Sequence, residues 1–307
     1  MNGIELSNQY YEDYVKDMIK NSFSSYEDII AVGIAGNGSE CFGYDDEYSR
    51  DHDYNIGVCI WLDNETYSKI GEELNEEYNK LPKEVYGIKL GRKSLGYDDK
   101  YGVETIEDFF IKTIGSKKLP KTKKEWLRIP EYALANAVNG EIFYDSKGEM
   151  LAKRAYLIVG AGSDVRRKKI GAYLSLAGQA GQYNYYRSLK RKDEGAIKVS
   201  LFEFTNNIVH AIFWLNNRYC PYYKWRYRAL RDLPKLSYLE RDLIELLDGG
   251  DDKRKVIEEI CWEVILELRK QFLTKSDSVY LEDHAYSVAD GIIDNELKNM
   301  HIMDFGQ

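Results

Sequence analysis

Short apolar runs alternate with amphipathic segments in the first half of the chain. Runs bounded by turn residues predict buried strands over Ile29–Ala35, Asp53–Leu62, Tyr101–Ile106 and Glu141–Tyr144. Helical spacing predicts helices over Gln9–Ser24, Ser39–Phe42, Asp63–Leu81, Glu107–Ile114 and Glu125–Val138, the last bent near Pro130. This mixture of short strands and helices predicts a domain built around a small mixed sheet.

The pattern changes near Leu151 and becomes mostly helical. Long segments with a 3.6-residue period cover Arg166–Lys192, Ala196–Asn217 and Arg254–Leu273. The apolar stripe of the last segment is typical of core packing. We therefore predict an α+β protein, in which residues 1–150 form a small mixed-sheet domain and residues 151–307 form an all-α helical bundle.

Composition supports a folded protein rather than a disordered one. The 307 residues are 44% hydrophobic and 31% charged. Residues 1–20 lack the pattern of a secretory leader, and the longest apolar runs are too short to span a bilayer. The four cysteines show no C-x-x-C spacing, so neither a zinc site nor a disulfide framework is predicted. We expect a cytoplasmic protein with no membrane partner.

Charge is distributed unevenly along the chain, whose net charge is -8. Residues 1–82 carry 18 acidic and 5 basic side chains, whereas residues 153–231 carry 16 basic and 4 acidic ones. A basic middle would suit a polyanionic substrate, but solvated basic helix faces give the same counts. The acidic total argues against an extended nucleic-acid-binding surface.

The candidate chemistry lies between the first two predicted strands. Gly38 and Ser39 form a small turn after the first strand, and Asp51-x-Asp53 opens the second. Two carboxylates two residues apart on a strand share a face and lie ~6–7 Å apart along it. Such carboxylates bind divalent metal, and a glycine-flanked turn can bring backbone N–H groups to phosphate oxygens. His52 would point to the opposite face and is interpreted as structural.

This arrangement resembles the DNA polymerase β-type nucleotidyltransferase superfamily over roughly residues 28–115. The segments Gly181–Arg187 and Leu215–Trp225 resemble an uncharacterised bacterial group of that superfamily with a domain of unknown function. The architecture is also similar to aminoglycoside and lincosamide nucleotidyltransferases, in which a helical bundle covers a small catalytic sheet. The resemblance implies that Asp51 and Asp53 hold two Mg²⁺ ions and that Gly38 and Ser39 contact the phosphates of an NTP.

A third carboxylate is expected from a neighbouring strand. Glu104 is the candidate because it lies within the predicted strand Tyr101–Ile106, although the superfamily commonly has Asp there. Asp145 is the rival, but its Y-D-S-K-G setting is more typical of an ordinary turn.

Several residues of the predicted bundle are candidates for binding substrate. Arg187 and Lys224 could hold phosphate, and Asn184 shares a helix face with Arg187. Tyr183 could stack on a base or line an acceptor cleft, and interdomain packing would explain it equally well. Glu203 could be a general base, but the stripe that it forms with Asn207 and His210 is also typical of a polar seam between helices.

The predicted function is Mg²⁺-dependent transfer of an NMP group from an NTP to a hydroxyl of a small molecule, with release of pyrophosphate. Two alternatives stay open: a protein or tRNA acceptor, and a non-catalytic nucleotide-binding or antitoxin-like module. The identity of the acceptor is not predicted.

Overall fold

The computed structural model describes residues 1–49, 57–82, 84–89, 101–248 and 252–305. The chain divides into two compact units. The first, here called the sheet unit, comprises Met1–Leu119 and Ala133–Gly160. The second, the helical unit, comprises Pro120–Tyr132 and Ala161–Gln307. The predicted α+β class is confirmed, and the boundary predicted at residue 150 falls inside a helix, Glu149–Val159.

The strands of the described residues belong to the sheet unit. They are β1 (Ala31–Ile34), β2 (Cys59–Leu62), β3 (Glu84–Val85), β4 (Ile88–Lys89), β5 (Gly102–Thr105) and β6 (Glu141–Asp145). The main sheet has the order β5-β2-β1-β6, with β1 antiparallel to both neighbours and β5 parallel to β2. In this mixed sheet Trp61 is the register partner of Glu104. Strands β3 and β4 form a separate hairpin.

Helices make up most of the remaining described chain. They are α1 (Gly3–Tyr10), α2 (Lys16–Ser22), α3 (Asn64–Lys80), α4 (Ile106–Ile114), α5 (Lys123–Arg128), α6 (Glu131–Val138), α7 (Glu149–Val159), α8 (Gly162–Ala177), α9 (Tyr186–Arg191), α10 (Glu194–Leu215), α11 (Tyr223–Arg231), α12 (Glu240–Leu247), α13 (Arg254–Lys270), α14 (Leu281–Asp290) and α15 (Asn295–Asn299). The segments Tyr11–Val15 and Gly178–Tyr185 are π-helical, and Ser24–Ile29, Glu40–Phe42 and Ser237–Leu239 are 3₁₀-helical. No helix of the described residues is long and apolar enough to cross a bilayer.

The core of the sheet unit forms where α1–α3 cover one face of the sheet. Leu6 and Tyr10 of α1 and Leu74 of α3 pack with Val32 and Ile60 from the two central strands. Because β1 and β2 are buried along their whole length, both read as continuous apolar runs rather than as alternating ones. Helix α3 begins where the Asp63 side chain accepts the backbone N–H of Thr66, as the N-cap pattern predicts.

Two glycines allow β6 to run close to β1. A Cβ on Gly140, whose φ is +66°, would lie 1.9 Å from the carbonyl oxygen of Ile34. A Cβ on Gly33 would lie 2.4 Å from the carbonyl oxygen of Glu141, next to an irregularity in the β1–β6 register. The close approach holds the end of β1 against the start of β6.

The helical unit is built around α8, which packs against α10 and α14. Helix α8 is buried on most sides and continues through the π-helical segment Gly178–Tyr185 into α9. A Cβ on Gly181 would lie 2.3 Å from the Phe204 ring, so glycine is needed where this segment crosses α10. The predicted long helix over Arg166–Lys192 is therefore confirmed as a helical segment with a π-helical interruption.

Candidate functional site

Strand β1 leads directly into the turn Gly36–Ser39, here called the glycine turn. Gly36 and Gly38 have φ values of +108° and +116°, which side-chain-bearing residues rarely adopt. Ser39 is buried and precedes the 3₁₀ segment Glu40–Phe42, as the predicted short helix requires. The turn is therefore a fixed backbone feature of the kind that can present N–H groups to an anion.

Two asparagines hold the glycine turn in place. The Asn139 side chain accepts the N–H of Gly36 at 2.9 Å and donates to the Gly36 carbonyl at 2.7 Å. The Asn136 side chain donates to the Asn37 side-chain oxygen at 2.5 Å. Arg154 is buried beneath Asn139 and donates to the carbonyls of Val138 and Asn139. Sequence reasoning missed the contacts of the two asparagines with the glycine turn, because 99 to 103 residues separate the partners.

The buried carboxylate of Glu40 lies next to Ser39 in the chain. Glu40 is 1% exposed, and its carboxylate accepts the hydroxyl of Tyr101 at 3.1 Å and that of Ser39 at 3.5 Å. Burial and the charge of Glu40 raise the pKa of Tyr101, so this phenol stays a donor. The link joins the glycine turn to the residue that precedes β5.

Glu104 lies on β5, as predicted, and its side chain is 16% exposed. One carboxylate oxygen accepts the indole N–H of Trp61 at 3.0 Å, and the other accepts the Lys112 ammonium at 3.0 Å. Burial raises the pKa of Glu104, and Lys112 and Trp61 oppose that rise. Each oxygen keeps a lone pair, so a further ligand is compatible with these contacts.

Asp51, Asp53 and His52 lie outside the described residues, so their placement stays a prediction. The rival carboxylate Asp145 ends β6, where it accepts the backbone N–H of Leu151 at the start of α7. This contact is what a turn residue that caps a helix makes.

The bundle candidates near the π-helical segment are exposed. Tyr183 and Asn184 lie in its last turn, and Arg187 lies in α9. The Arg187 guanidinium stacks over the Tyr183 ring at 4.9 Å and donates to its hydroxyl. The two side chains predicted to face a substrate thus contact each other.

The other bundle candidates lie on α10 and α11. Lys224 is exposed on α11, with its ammonium 5.1 Å from the centroid of the Trp225 ring. Glu203 is exposed on α10, and its carbonyl accepts the Asn207 side chain at 2.7 Å. His210 is directed instead to Glu131, which the sequence analysis did not single out.

Four consecutive cations of α8, Arg166–Lys169, have a structural role, and the first three contact the ends of other helices. Arg166 donates to the carbonyls of Trp214 and Leu215, where α10 ends. Arg167 donates to the carbonyls of Leu273 and Val288, and Lys168 donates to those of Met300 and His301. Lysine and arginine at helix ends satisfy carbonyls that lack intrahelical partners. Arg166, Arg167 and Lys168 thus direct part of the basic excess to backbone carbonyls of the helical unit.

The fourth cation belongs to a buried polar cluster of the helical unit, here called the Glu131 cluster. It consists of Glu131, Lys169, Tyr173, His210 and Cys220. The Glu131 carboxylate accepts the Tyr173 hydroxyl through one oxygen and lies 2.8 Å from Nδ1 of His210 through the other. The Lys169 ammonium lies 3.9 Å from the first oxygen. The carboxylate of Glu131 thus contacts side chains of both α8 and α10.

Electrostatics fix the protonation of this carboxylate. Burial alone would raise the pKa of Glu131, but the charge and hydrogen bond of His210 and the charge of Lys169 lower it to about 2. The carboxylate is therefore charged at neutral pH and can only accept hydrogen bonds. It follows that Nδ1 of His210 carries the hydrogen of the bond to Glu131. The Tyr173 ring stacks on the imidazole at 4.8 Å, which fixes its plane.

Metal-ligand atoms of Glu131, His210 and Cys220 lie within 4.8 Å of one another. The surroundings do not suit a cation, because Lys169 already lies beside the carboxylate and Tyr173 already donates to it. Burial also raises the pKa of the Cys220 thiol, whereas a metal requires the thiolate. The cluster therefore fits an oriented imidazole better than a metal ion.

Comparison with known proteins gives one family match. Residues 126–226 match a family described as Domain of unknown function (DUF4037), and this segment contains every member of the Glu131 cluster. No curated protein and no solved structure matches the chain. The matched segment is less than half of the 307 residues. The chain is therefore similar, over this part of its length, to a domain without an assigned function.

Proposed function

We propose that this protein is a metal-dependent nucleotidyltransferase that moves an NMP group from an NTP to a hydroxyl of a small molecule and releases pyrophosphate. The observation that carries the proposal is the glycine turn, which follows β1 with positive φ at Gly36 and Gly38. Strand β2, the neighbour of β1 in the sheet, follows Asp51 and Asp53 in the sequence. Glu104 lies on β5, which pairs in parallel with β2.

The chemistry of these residue types supports the same proposal. Asp51, Asp53 and Glu104 offer hard oxygen donors, which Mg²⁺ prefers. Bound Mg²⁺ would neutralise phosphate charge and favour loss of the pyrophosphate leaving group. Gly38 and Ser39 would position the terminal phosphates through backbone N–H groups. The amides of Asn136 and Asn139 keep this turn in one conformation before a ligand arrives.

Of the three carboxylates proposed to hold Mg²⁺, Glu104 is the one that lies among the described residues. Its surroundings can therefore be compared with the proposed role. Its pKa is raised by burial, and Lys112 supplies a compensating charge. Glu104 would offer Mg²⁺ a carboxylate oxygen, and the hydrogen bond from the Trp61 indole would keep that carboxylate oriented. Lys112 is half exposed, so water partly screens its ion pair with Glu104.

Two labels in ATP test the proposal. The full chain is incubated with Mg²⁺, an extract of small molecules, and ATP labelled at either the α- or the γ-phosphate. Nucleotidyl transfer places the α-label on an acceptor and the γ-label in pyrophosphate. The variants Asp51→Asn and Asp53→Asn should lose transfer by at least about 100-fold, and the exposed Asp17→Asn should not.

Other outcomes separate the competing functions. An α-label that becomes covalently attached to protein or tRNA would replace the small-molecule acceptor with a macromolecule. Saturable ATP binding without pyrophosphate release would indicate a nucleotide-binding module. Transfer of the γ-label would contradict nucleotidyl transfer and indicate phosphoryl transfer.

A further inference from the structure

Arg154 of α7 is a buried cation that pairs with no carboxylate of the described residues. The residue is 7% exposed. The titratable neighbour whose charge affects its pKa is the thiol of Cys41. That thiol donates to the carbonyl of Asn37 at 3.5 Å, so it is neutral in this arrangement. Burial lowers the pKa of Arg154 to about 10, and the guanidinium therefore stays charged at neutral pH.

One nitrogen of this guanidinium has no hydrogen-bond partner among the described residues. Nη2 donates to the carbonyls of Val138 and Asn139, where α6 ends, whereas Nη1 is buried and unpaired. Arg166 also donates to carbonyls at a helix end, but its buried nitrogens all have partners. Capping of α6 therefore explains only part of the Arg154 side chain. Because a buried charge without a counter-ion is costly, its presence points to a compensating anion.

Two paths of contacts place the Arg154 guanidinium behind the glycine turn. The first runs through Asn139, whose carbonyl accepts Arg154 and whose side chain bonds both backbone groups of Gly36. The second runs through Cys41, which interacts electrostatically with Arg154 and contacts the carbonyl of Asn37. Since the guanidinium is buried, water screens its charge only weakly at the turn.

The Gly36–Gly38 end of the turn has room for a ligand. A Cβ on Gly36 would meet no atom of the described residues within 4 Å. Asn37 is exposed, and Gly38 is half-buried. The carboxylate of Glu40 is directed instead to hydroxyls at the other end of the turn. The end that carries Gly36 is therefore the one at which the charge of Arg154 favours an anion.

We propose that Arg154 supplies the positive charge of a phosphate site at the glycine turn, and that this site holds a multiply charged phosphate anion without a metal ion. Because Nη1 is buried, Arg154 acts through the turn and is a positioning residue. The inference rests on the glycine turn as the phosphate site of the proposed function, but it requires neither Asp51 nor Asp53. The anion compensates a charge that the free protein leaves without a counter-ion.

Pyrophosphate, the leaving group of the proposed reaction, tests the site. The full chain is titrated by calorimetry at neutral pH in EDTA, and we expect saturable binding. Arg154→Gln removes the charge but keeps an N–H donor, so it should bind about tenfold more weakly. Arg154→Lys keeps the charge and should stay within about threefold of the wild type. The control is Lys153→Gln, which removes a neighbouring cation paired with Glu149 at 3.5 Å and should not change the affinity.

Thermal unfolding separates this role from a purely structural one. Without ligand, Arg154→Gln should be at least as stable as Arg154→Lys, since it no longer buries a charge that lacks a counter-ion. Pyrophosphate should raise the Tm of the wild type and of Arg154→Lys more than that of Arg154→Gln. If Arg154 only caps α6, pyrophosphate will raise the Tm of all three proteins equally.

Two results would overturn the proposal. One is the absence of saturable pyrophosphate binding by the wild type in EDTA, which needs no variant to fold. The other is equal affinity of Arg154→Gln and Arg154→Lys, because the charge of Arg154 would then not serve the anion.

The labelled-ATP assay keeps this proposal apart from the proposed enzymatic function. Arg154-dependent binding of pyrophosphate without transfer of the α-label would support the phosphate site and contradict nucleotidyl transfer. Transfer of the α-label without metal-free binding of pyrophosphate would support the enzyme and contradict this role of Arg154.

Discussion

The glycine turn and the Glu131 cluster hold their polar groups in different ways. The glycine turn is fixed by neutral amides, which contact the backbone of Gly36 and the side chain of Asn37. The Glu131 cluster is fixed by charges that are withdrawn from water. A buried neutral group that loses its hydrogen-bond partner costs about 1–3 kcal/mol, whereas a buried charge that loses its partner costs about 3–5 kcal/mol. The two regions should therefore respond differently to substitution and to pH.

The largest expected effect is on the charged region. Glu131→Ala leaves the buried Lys169 without its counter-charge and Tyr173 without an acceptor. We expect a loss of about 3–5 kcal/mol in the free energy of unfolding. Denaturant unfolding followed by tryptophan fluorescence measures it, since Trp126, Trp214, Trp225 and Trp262 lie in the helical unit.

The matched control is Glu259→Ala, which removes an exposed carboxylate paired at 3.6 Å with Lys255. This change should stay within about 0.5 kcal/mol. Equal effects of the two substitutions would show that the Glu131 cluster does not stabilise the helical unit.

Acid should weaken the same region. The pKa of Glu131 is about 2 in the folded protein and 4.5 without the fold, so its stabilisation is complete above pH 4.5 and is lost as the pH falls towards 2. The integrated effect is on the order of 3 kcal/mol. Thermal unfolding between pH 6 and pH 2.5 should show the difference between the wild type and Glu131→Gln shrinking as the pH falls. A constant difference would mean that Glu131 does not titrate as described.

A smaller effect is expected at the amides of the glycine turn. Asn139→Ala removes both side-chain hydrogen bonds to Gly36, one donated and one accepted. We expect a loss of about 1–3 kcal/mol, because the Gly36 carbonyl loses its Asn139 donor and the Gly36 N–H keeps the Asn136 carbonyl at 3.1 Å as its acceptor. Asn299→Ala, at an exposed position of α15, is the control and should change little. The effect of Asn139→Ala should not vary with pH between 5 and 8, which distinguishes amide contacts from charged ones.

The smallest effect concerns backbone conformation alone. Gly38→Ala forces a Cβ onto a residue with φ of +116° and should destabilise the protein by about 1 kcal/mol or more. Gly195→Ala, at an exposed position in the first turn of α10, should be neutral or stabilising by up to about 1 kcal/mol. Equal stability of both variants would mean that the glycine turn is not rigid. Thermal unfolding of the two variants measures the contrast.

Periodicity predicted much of the local structure. Apolar runs located β1, β5 and β6 to within a few residues, and N-cap residues such as Asp63 marked where helices begin. The strand predicted over Asp53–Leu62 is shorter in the structure, since β2 begins at Cys59, residues 57–58 are not strand and residues 53–56 lie outside the described residues. Helical structure after Leu151 was predicted, but without bounds for helices such as α7, and the hairpin of β3 and β4 was missed, because short or weakly periodic segments depend on tertiary contacts. The π-helical segment Gly178–Tyr185 was missed, because a glycine such as Gly181 in a helical pattern does not reveal a close neighbour such as Phe204.

In the candidate sites, too, features built from adjacent residues were predicted and features built from distant residues were missed. The glycine turn was predicted because its residues are adjacent in sequence. Glu131 was missed because its partner His210 lies 79 residues away, and only the polar stripe on α10 pointed to that histidine. The run Arg166–Lys169 was read as a charge pattern, since no local signal shows that its side chains reach the ends of distant helices.

Binding of a non-hydrolysable ATP analogue tests the central claim most directly. Calorimetric titration of the full chain, with and without Mg²⁺, is compared with the double variant Asp51→Asn/Asp53→Asn. We predict saturable, Mg²⁺-dependent binding that the double variant weakens by at least about tenfold. No binding to the wild type, or equal affinity in both proteins, would contradict a nucleotide site at Asp51, Asp53 and the glycine turn.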